Sequence, residues 1–116
     1  MRIVVLHNDT PLEATSNFEQ AIRATTGDVV VLSDQDDVWH PDRVAHALRA
    51  LGDDALLHFS DARLVDARGE QLSVAADLSA ISDGGVFATL LRRYIATGAT
   101  VAFRRSLYRC CAPVSG

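Results

Sequence analysis

The chain has 116 residues, with 11 basic side chains, all Arg, against 15 acidic ones and a net charge of −4. That length supports one domain with one core, taken as residues 1–116, and the acidic balance argues against nucleic acid as a main partner. The absence of Lys excludes any mechanism that needs a catalytic lysine.

Residues 2–7 read as a strand, since Ile3, Val4, Val5 and Leu6 form a continuous, mostly β-branched run. Asn8-Asp9-Thr10-Pro11 marks a loop. Ser16 opens a helix, and Glu19 three residues on completes a capping-box pattern. Phe18, Ala21, Ile22 and Thr25 give that helix one apolar stripe, and Gly27 suits the left-handed position after it. Residues 28–33 form a second strand; strand, helix and strand at this length make a right-handed parallel unit. Pro41 fits the first turn of a second helix, where Val44, Ala47, Leu48 and Leu51 fall at helical spacing and Gly52 ends the run. Residues 55–65 read as one long strand, with Asp66-Ala67-Arg68-Gly69 turning into a shorter strand at 70–73. Residues 75–85 are small and polar, a long loop of the kind that serves as a lid or binding segment. Phe87, Leu90, Leu91, Tyr94 and Ile95 mark another amphipathic helix, residues 100–103 a short strand and residues 107–111 a helical turn. The expected architecture is α/β, a mainly parallel sheet flanked by helices with one β-hairpin.

The chain is organised around Val29-Val30-Val31-Leu32-Ser33-Asp34-Gln35-Asp36-Asp37-Val38-Trp39, in which an apolar run ends in three carboxylates within four residues. Such a run suits a strand buried on both faces, and ligands of open α/β sheets sit at the carboxyl ends of such strands. Like charges this close repel one another, and a divalent cation compensates them best. Carboxylates suit hard ions, Mg2+ or Mn2+, and a metal held this way often carries a substrate phosphate. The plainer alternative is a solvated loop whose charge complements the N-terminus of the next helix. His7, His40, His46 and His58 show no metal spacing.

Charge is unevenly spread. Residues 1–83 carry six Arg against fifteen acids, net −9, whereas residues 84–116 carry five Arg and no acid, net +5. The basic part suits phosphate or the anionic inner face of the plasma membrane, and equally a solvated helix face. Cys110 and Cys111 are adjacent, a poor geometry for a structural bridge, so a reducing compartment fits. The run at residues 3–6 is too short for a signal peptide and none approaches membrane-spanning length. The expectation is a soluble, cytoplasmic protein.

Asn17-Phe18-Glu19-Gln20-Ala21-Ile22, then Gly27-Asp28 with the acidic-loop string, then Pro41-Asp42-Arg43 resemble family 2 glycosyltransferases of the Rossmann-like GT-A fold. The likeness is greatest to the rhamnosyltransferase-like branch that builds bacterial surface polysaccharides. Ser60-Asp61-Ala62-Arg63-Leu64-Val65-Asp66 and Thr97-Gly98-Ala99-Thr100-Val101-Ala102-Phe103-Arg104-Arg105 fit the same family, so the resemblance covers nearly the whole chain. It implies transfer of a sugar, rhamnose among the candidates, from a nucleotide-diphosphate donor to a polysaccharide or lipid-linked acceptor, with Mg2+ or Mn2+ bridging the diphosphate. It makes Asp36 the principal metal ligand, Asp37 its support, and Asp34 a partner of the ribose or of the metal shell. It puts Asn17 near the nucleotide and Trp39 against donor or acceptor. The plain alternatives are a polar first-turn residue for Asn17 and a hydrophobic plug for Trp39. Asp61 ends a strand near the same edge, and Arg104 and Arg105 stand where a phosphate could meet them, the plainer and commoner alternative being exposed arginines at a helix start.

Three departures qualify the resemblance. Family members carry a further strand and helix, and an Asp-Asp-Gly-Ser-type segment, ahead of the position of Arg2. Glu13 stands where Gly is expected. The family's catalytic base comes from an acidic motif beyond this chain, which has no carboxylate after Asp83. An inverting transfer needs a base within hydrogen-bond reach of the acceptor hydroxyl, so no catalytic residue is assigned and the expectation is a domain fragment cut at both ends. One competing reading is a truncated, inactive chain that binds metal-nucleotide weakly and dimerises through an unpaired sheet edge. Another is a Mg2+-dependent phosphatase of the haloacid dehalogenase type, which also places Asp-x-Asp after a buried strand.

Overall fold

The computed structural model describes residues 1–74 and 100–111. In chain order the elements are α1 (Ala14–Ala24), β1 (Val29–Val31), α2 (Arg43–Leu51), β2 (Leu57–Phe59), β3 (Arg63–Val65), β4 (Gln71–Val74), β5 (Val101–Arg104) and α3 (Arg105–Cys111). Three strands form the main sheet in the order β1-β5-β2, and β3 and β4 form a separate hairpin sheet.

The mainly parallel sheet is corrected by the pairing. β5 lies antiparallel to both neighbours, with Phe103 opposite Val30 on one side and Leu57 on the other. Because β1 and β2 both oppose β5, they run in the same direction, and their carboxyl ends leave the sheet at one edge. The ladder continues past the strands: Leu32 N donates to Val101 O at 3.0 Å, Ser60 N to Thr100 O at 3.3 Å and Arg105 N to Asp28 O at 2.8 Å. The acidic loop therefore follows the last laddered residue of β1, and Asp61 follows the corresponding end of β2.

Side-chain alternation sorts the sheet into two faces. Val30 and Phe103 join Ile22 of α1 in one buried cluster, with Leu32, Val101, Leu107 and Tyr108 packed against it. Each of these large apolar side chains is worth about 1.5–3 kcal/mol when fully buried. Ala102 falls on the opposite face, and α2, which packs on β2, buries Ala47 and Leu51. Val44 and Leu48 of the same helical stripe stay 42% and 48% exposed, so half the expected apolar face is used.

Several boundaries differ from expectation for identifiable reasons. Residues 2–7 form no strand, because no described strand pairs with them. The chain there is fixed instead by reciprocal amide bonds between Asn8 and Gln20, at 2.9 and 3.0 Å. Helix α1 begins before Ser16: Asn17 N donates to Glu13 O at 2.9 Å, which puts Ser16 and Glu19 inside the helix. Glu19 then pairs with Arg23 at 2.8 Å, and this partner raises the guanidinium's affinity for its proton. The left-handed end expected at Gly27 is absent. Thr25 closes α1 in extended conformation, its Oγ1 donating to Ile22 O at 2.8 Å. The strand expected over 55–65 breaks after Phe59, where Asp61 Oδ1 accepts the Ala62 amide at 2.8 Å. The hairpin turn forms as expected: Asp66 Oδ1 accepts the amides of Arg68 and Glu70 at 2.8 and 3.0 Å, and Gly69 takes a φ of 83°. Gly52 ends α2 with a φ of 51°. The loop expected at 75–85 and the helix marked by Phe87 to Ile95 lie outside the described residues.

Candidate functional site

A cleft of about 530 Å3 lies where the chain leaves β1 for the acidic loop. Its walls come from three segments: Val4 and Leu6 of the N-terminal run, Asn17, Phe18 and Ala21 of α1, and Ser33, Asp34 and Gln35. The cleft is open to solvent, and polar and apolar groups share its wall about equally. Asn17 and Asp34, seventeen positions apart on the chain, meet here because α1 packs Ile22 against Val30. That contact brings the polar side of the first helical turns alongside the end of β1. Asp34 is the only carboxylate among the described lining residues.

The three aspartates do not converge as a chelate. Asp34, Asp36 and Asp37 are exposed, and no group of three or more His, Cys, Asp or Glu among the described residues is placed to hold a metal. A one-turn contact, Asp37 N to Asp34 O at 3.5 Å, curls the loop. The donor chemistry still suits a hard cation that arrives with a diphosphate. Mg2+ is usually held by one or two carboxylates plus substrate phosphates and water, with no complete protein cage. The residues therefore fit a metal that completes its shell with substrate, and not a preformed centre of Asp34, Asp36 and Asp37 together.

Trp39 lies away from the cleft wall. The Arg43 guanidinium stacks over its ring at 4.1 Å, and its indole Nε1 is buried without an acceptor among the described residues. Arg43 also donates to Leu32 O at 2.9 Å. Desolvation lowers the Arg43 pKa from its ordinary value, and the charge of Asp37 acts against that shift. Pro41-Asp42-Arg43 was part of the family resemblance, but no role was assigned to Arg43; a further signal was a cation at the first position of a helix, where the dipole disfavours it.

Asp61 is exposed and sits at the carboxyl end of β2, with β5 between it and the acidic loop; it does not line the cleft. Arg104 and Arg105 are not presented to phosphate. The Arg104 side chain donates to the carbonyls of Gly52 and Ala55, tying down the turn after α2. Arg105 donates to Gly27 O at 2.6 Å, to Ile22 O at 3.2 Å and to Thr25 Oγ1, where its charge complements the C-terminus of α1. These two cations are structural, which takes two of the five arginines of residues 84–116 out of the expected membrane contact; Arg92 and Arg93 lie outside the described residues. No helix among the described residues is long and apolar enough to cross a membrane.

Comparison with curated proteins gives no match, and neither does comparison with solved structures. A family model does match, over residues 1–111, and its description is glycosyl transferase family 2. That span takes in every element of the cleft, the N-terminal run, α1, the end of β1 and the acidic loop. The chain belongs to glycosyltransferase family 2.

Proposed function

We propose that the chain binds a nucleoside-diphosphate sugar in the cleft between α1 and the acidic loop, for transfer of the sugar to a saccharide or lipid-linked acceptor. The observation that carries this reading is the meeting of Asn17 and Asp34 on one cleft in a chain of this family. The amide of Asn17 both donates and accepts, which suits a base edge or a ribose hydroxyl. The carboxylate of Asp34 accepts from ribose hydroxyls. Phe18, Val4 and Leu6 supply apolar wall against which a base or sugar ring can lie dry. Asp36, two positions on from Asp34, is the residue that the family resemblance makes the ligand of a Mg2+ or Mn2+ brought by the diphosphate, with Asp37 in support. When bound, that cation neutralises charge growing on the diphosphate leaving group. A deoxythymidine-diphosphate rhamnose is the donor the rhamnosyltransferase resemblance favours, and the family favours a GT-A fold. No base for the acceptor hydroxyl is assigned to a described residue.

Thermal unfolding with UDP-sugar or dTDP-sugar and Mn2+ tests the site. At ten times its Kd a ligand specific for the folded chain adds about 1.4 kcal/mol, a shift of several degrees in Tm. Asp34→Ala should abolish the shift altogether, and Asp36→Ala should abolish only the part that depends on Mn2+. A wild-type Tm unmoved at millimolar nucleotide sugar would sink the donor site.

A further inference from the structure

We propose that Arg43 is the positioning residue of this site: one guanidinium holds both ends of the acidic loop and so sets where Asp34 stands in the cleft. The inference rests on the donor-site reading above and adds a residue that acts through Asp34 without touching the donor.

The geometry is that of a clamp across a six-residue loop. At one end, Leu32 directly follows β1, its amide is bonded to Val101 of β5, and its carbonyl accepts from Arg43 at 2.9 Å. At the other end, Trp39 lies beneath the same guanidinium at 4.1 Å. Between them residues 33–38 are all exposed. Within the loop, Ser33 Oγ donates to Asp34 O at 3.1 Å and Asp37 N to Asp34 O at 3.5 Å. Both contacts are local and neither ties the loop to the body of the protein. The loop's path thus depends on how its ends are held, and Arg43 touches both.

The residue type matters. Arg43 opens α2, whose first turn holds no acidic side chain, so its charge opposes the helix dipole. A local rule broken in this way is expected where another role compensates. The guanidinium is a planar fork that donates along its edge while its face lies on a ring. A lysine ammonium can reach the carbonyl or the ring, but it has no plane with which to do both. Its attraction to Asp37 adds a third hold, on the loop's own charge.

Trp39 is the only tryptophan in the chain, so intrinsic fluorescence reports the upper jaw of the clamp directly. The test compares wild type with Arg43→Lys and Arg43→Met by Trp39 emission, by limited proteolysis within residues 33–38, by amide exchange in β1 and β5, and by affinity for UDP and dTDP with Mg2+. Both variants should change the emission. Arg43→Met should speed cleavage within 33–38 and weaken nucleotide binding, each by roughly tenfold, while β1 and β5 exchange as in wild type. Arg43→Lys, which keeps charge and length, should fall between. Unchanged cleavage within 33–38, or full nucleotide affinity in Arg43→Met, overturns the positioning role. A wild-type chain that binds neither nucleotide overturns the donor-site reading instead, while the cleavage rates still decide whether Arg43 holds the loop.

Discussion

Ile3-Val4-Val5-Leu6 and Val29-Val30-Val31-Leu32 differ by a single methylene group, yet they end in different states. The second holds strand β1 and puts Val30 at 7% exposure; the first forms no ladder and leaves Ile3 and Val5 74% and 85% exposed. Val4 and Leu6, at 52% and 40%, are the less exposed pair, and both line the cleft. The first run therefore keeps the two-residue alternation of an extended chain without the hydrogen bonds of a sheet. Strand propensity is a fit to a pleated, half-buried surface and not an autonomous backbone preference. β1 has that surface because β5 pairs with it and Ile22 covers it. The N-terminal run has only the rim of a cleft.

The widest gap between the two runs should appear in their cores. Phe103 lies opposite Val30 and is 8% exposed. Phe103→Ala should cost about 3–5 kcal/mol, because it empties the centre of the cluster. Val5→Ala should stay within about 0.5 kcal/mol, as expected of an exposed position with no special contact. Urea denaturation of both variants measures this. Equal costs would mean that the first run carries as much of the fold as β1, and the contrast would collapse.

This contrast also marks how far sequence reasoning reached. Gly52, Gly69 and the Asp66 turn were legible because each rests on local chemistry, whereas of the apolar runs residues 29–32 hold β1 and residues 3–6, expected as a strand, form none. The acidic loop was placed correctly at the carboxyl end of a strand for the same reason. The identity of the partner strand was not legible: β5 enters between β1 and β2 from about seventy residues further on, and periodicity names no partner. Arg104 and Arg105 were misread because formal charge counts omit the carbonyls at helix ends, which are the groups these side chains bind. The meeting of Asn17 with Asp34, and the clamp at Arg43, follow from helix packing that a linear pattern does not encode.

Arg105 sharpens the comparison at the next level of effect. It anchors β1 at its start, through its own amide to Asp28 O and its side chain to Gly27 O and the end of α1. The N-terminal run has in its place the exposed Asn8–Gln20 amide pair. Arg105→Met should destabilise by about 1–2 kcal/mol, the low end for charged hydrogen bonds since the site is half-exposed. Asn8→Ala should change stability by less than about 0.5 kcal/mol. If the two costs match in chemical denaturation, anchoring does not distinguish the runs.

The smallest effect belongs to the far edge of the sheet, where partner contacts are again what matters. His58 of β2 faces α2, with its ring 6.0 Å from that of His46. Its side is the one that Ala102 and Arg104 share on β5. Burial first, and the charge of His46 second, lower its pKa below the ordinary value. The unfolded chain therefore binds this proton more readily than the folded chain. Stability from this group is complete above its unfolded pKa of about 6.5 and is lost as the pH falls through that value toward the folded one. His58→Gln should remove this part of the slope, so that the difference in Tm between wild type and variant changes as the pH falls from about 7 to about 5. Amide exchange, corrected for its intrinsic pH dependence, should show the acid loosening β2 and α2 while residues 3–6, already without a ladder, stay unprotected throughout. A constant difference in Tm across that window would show that α2 keeps its hold on β2 whether or not His58 carries a proton.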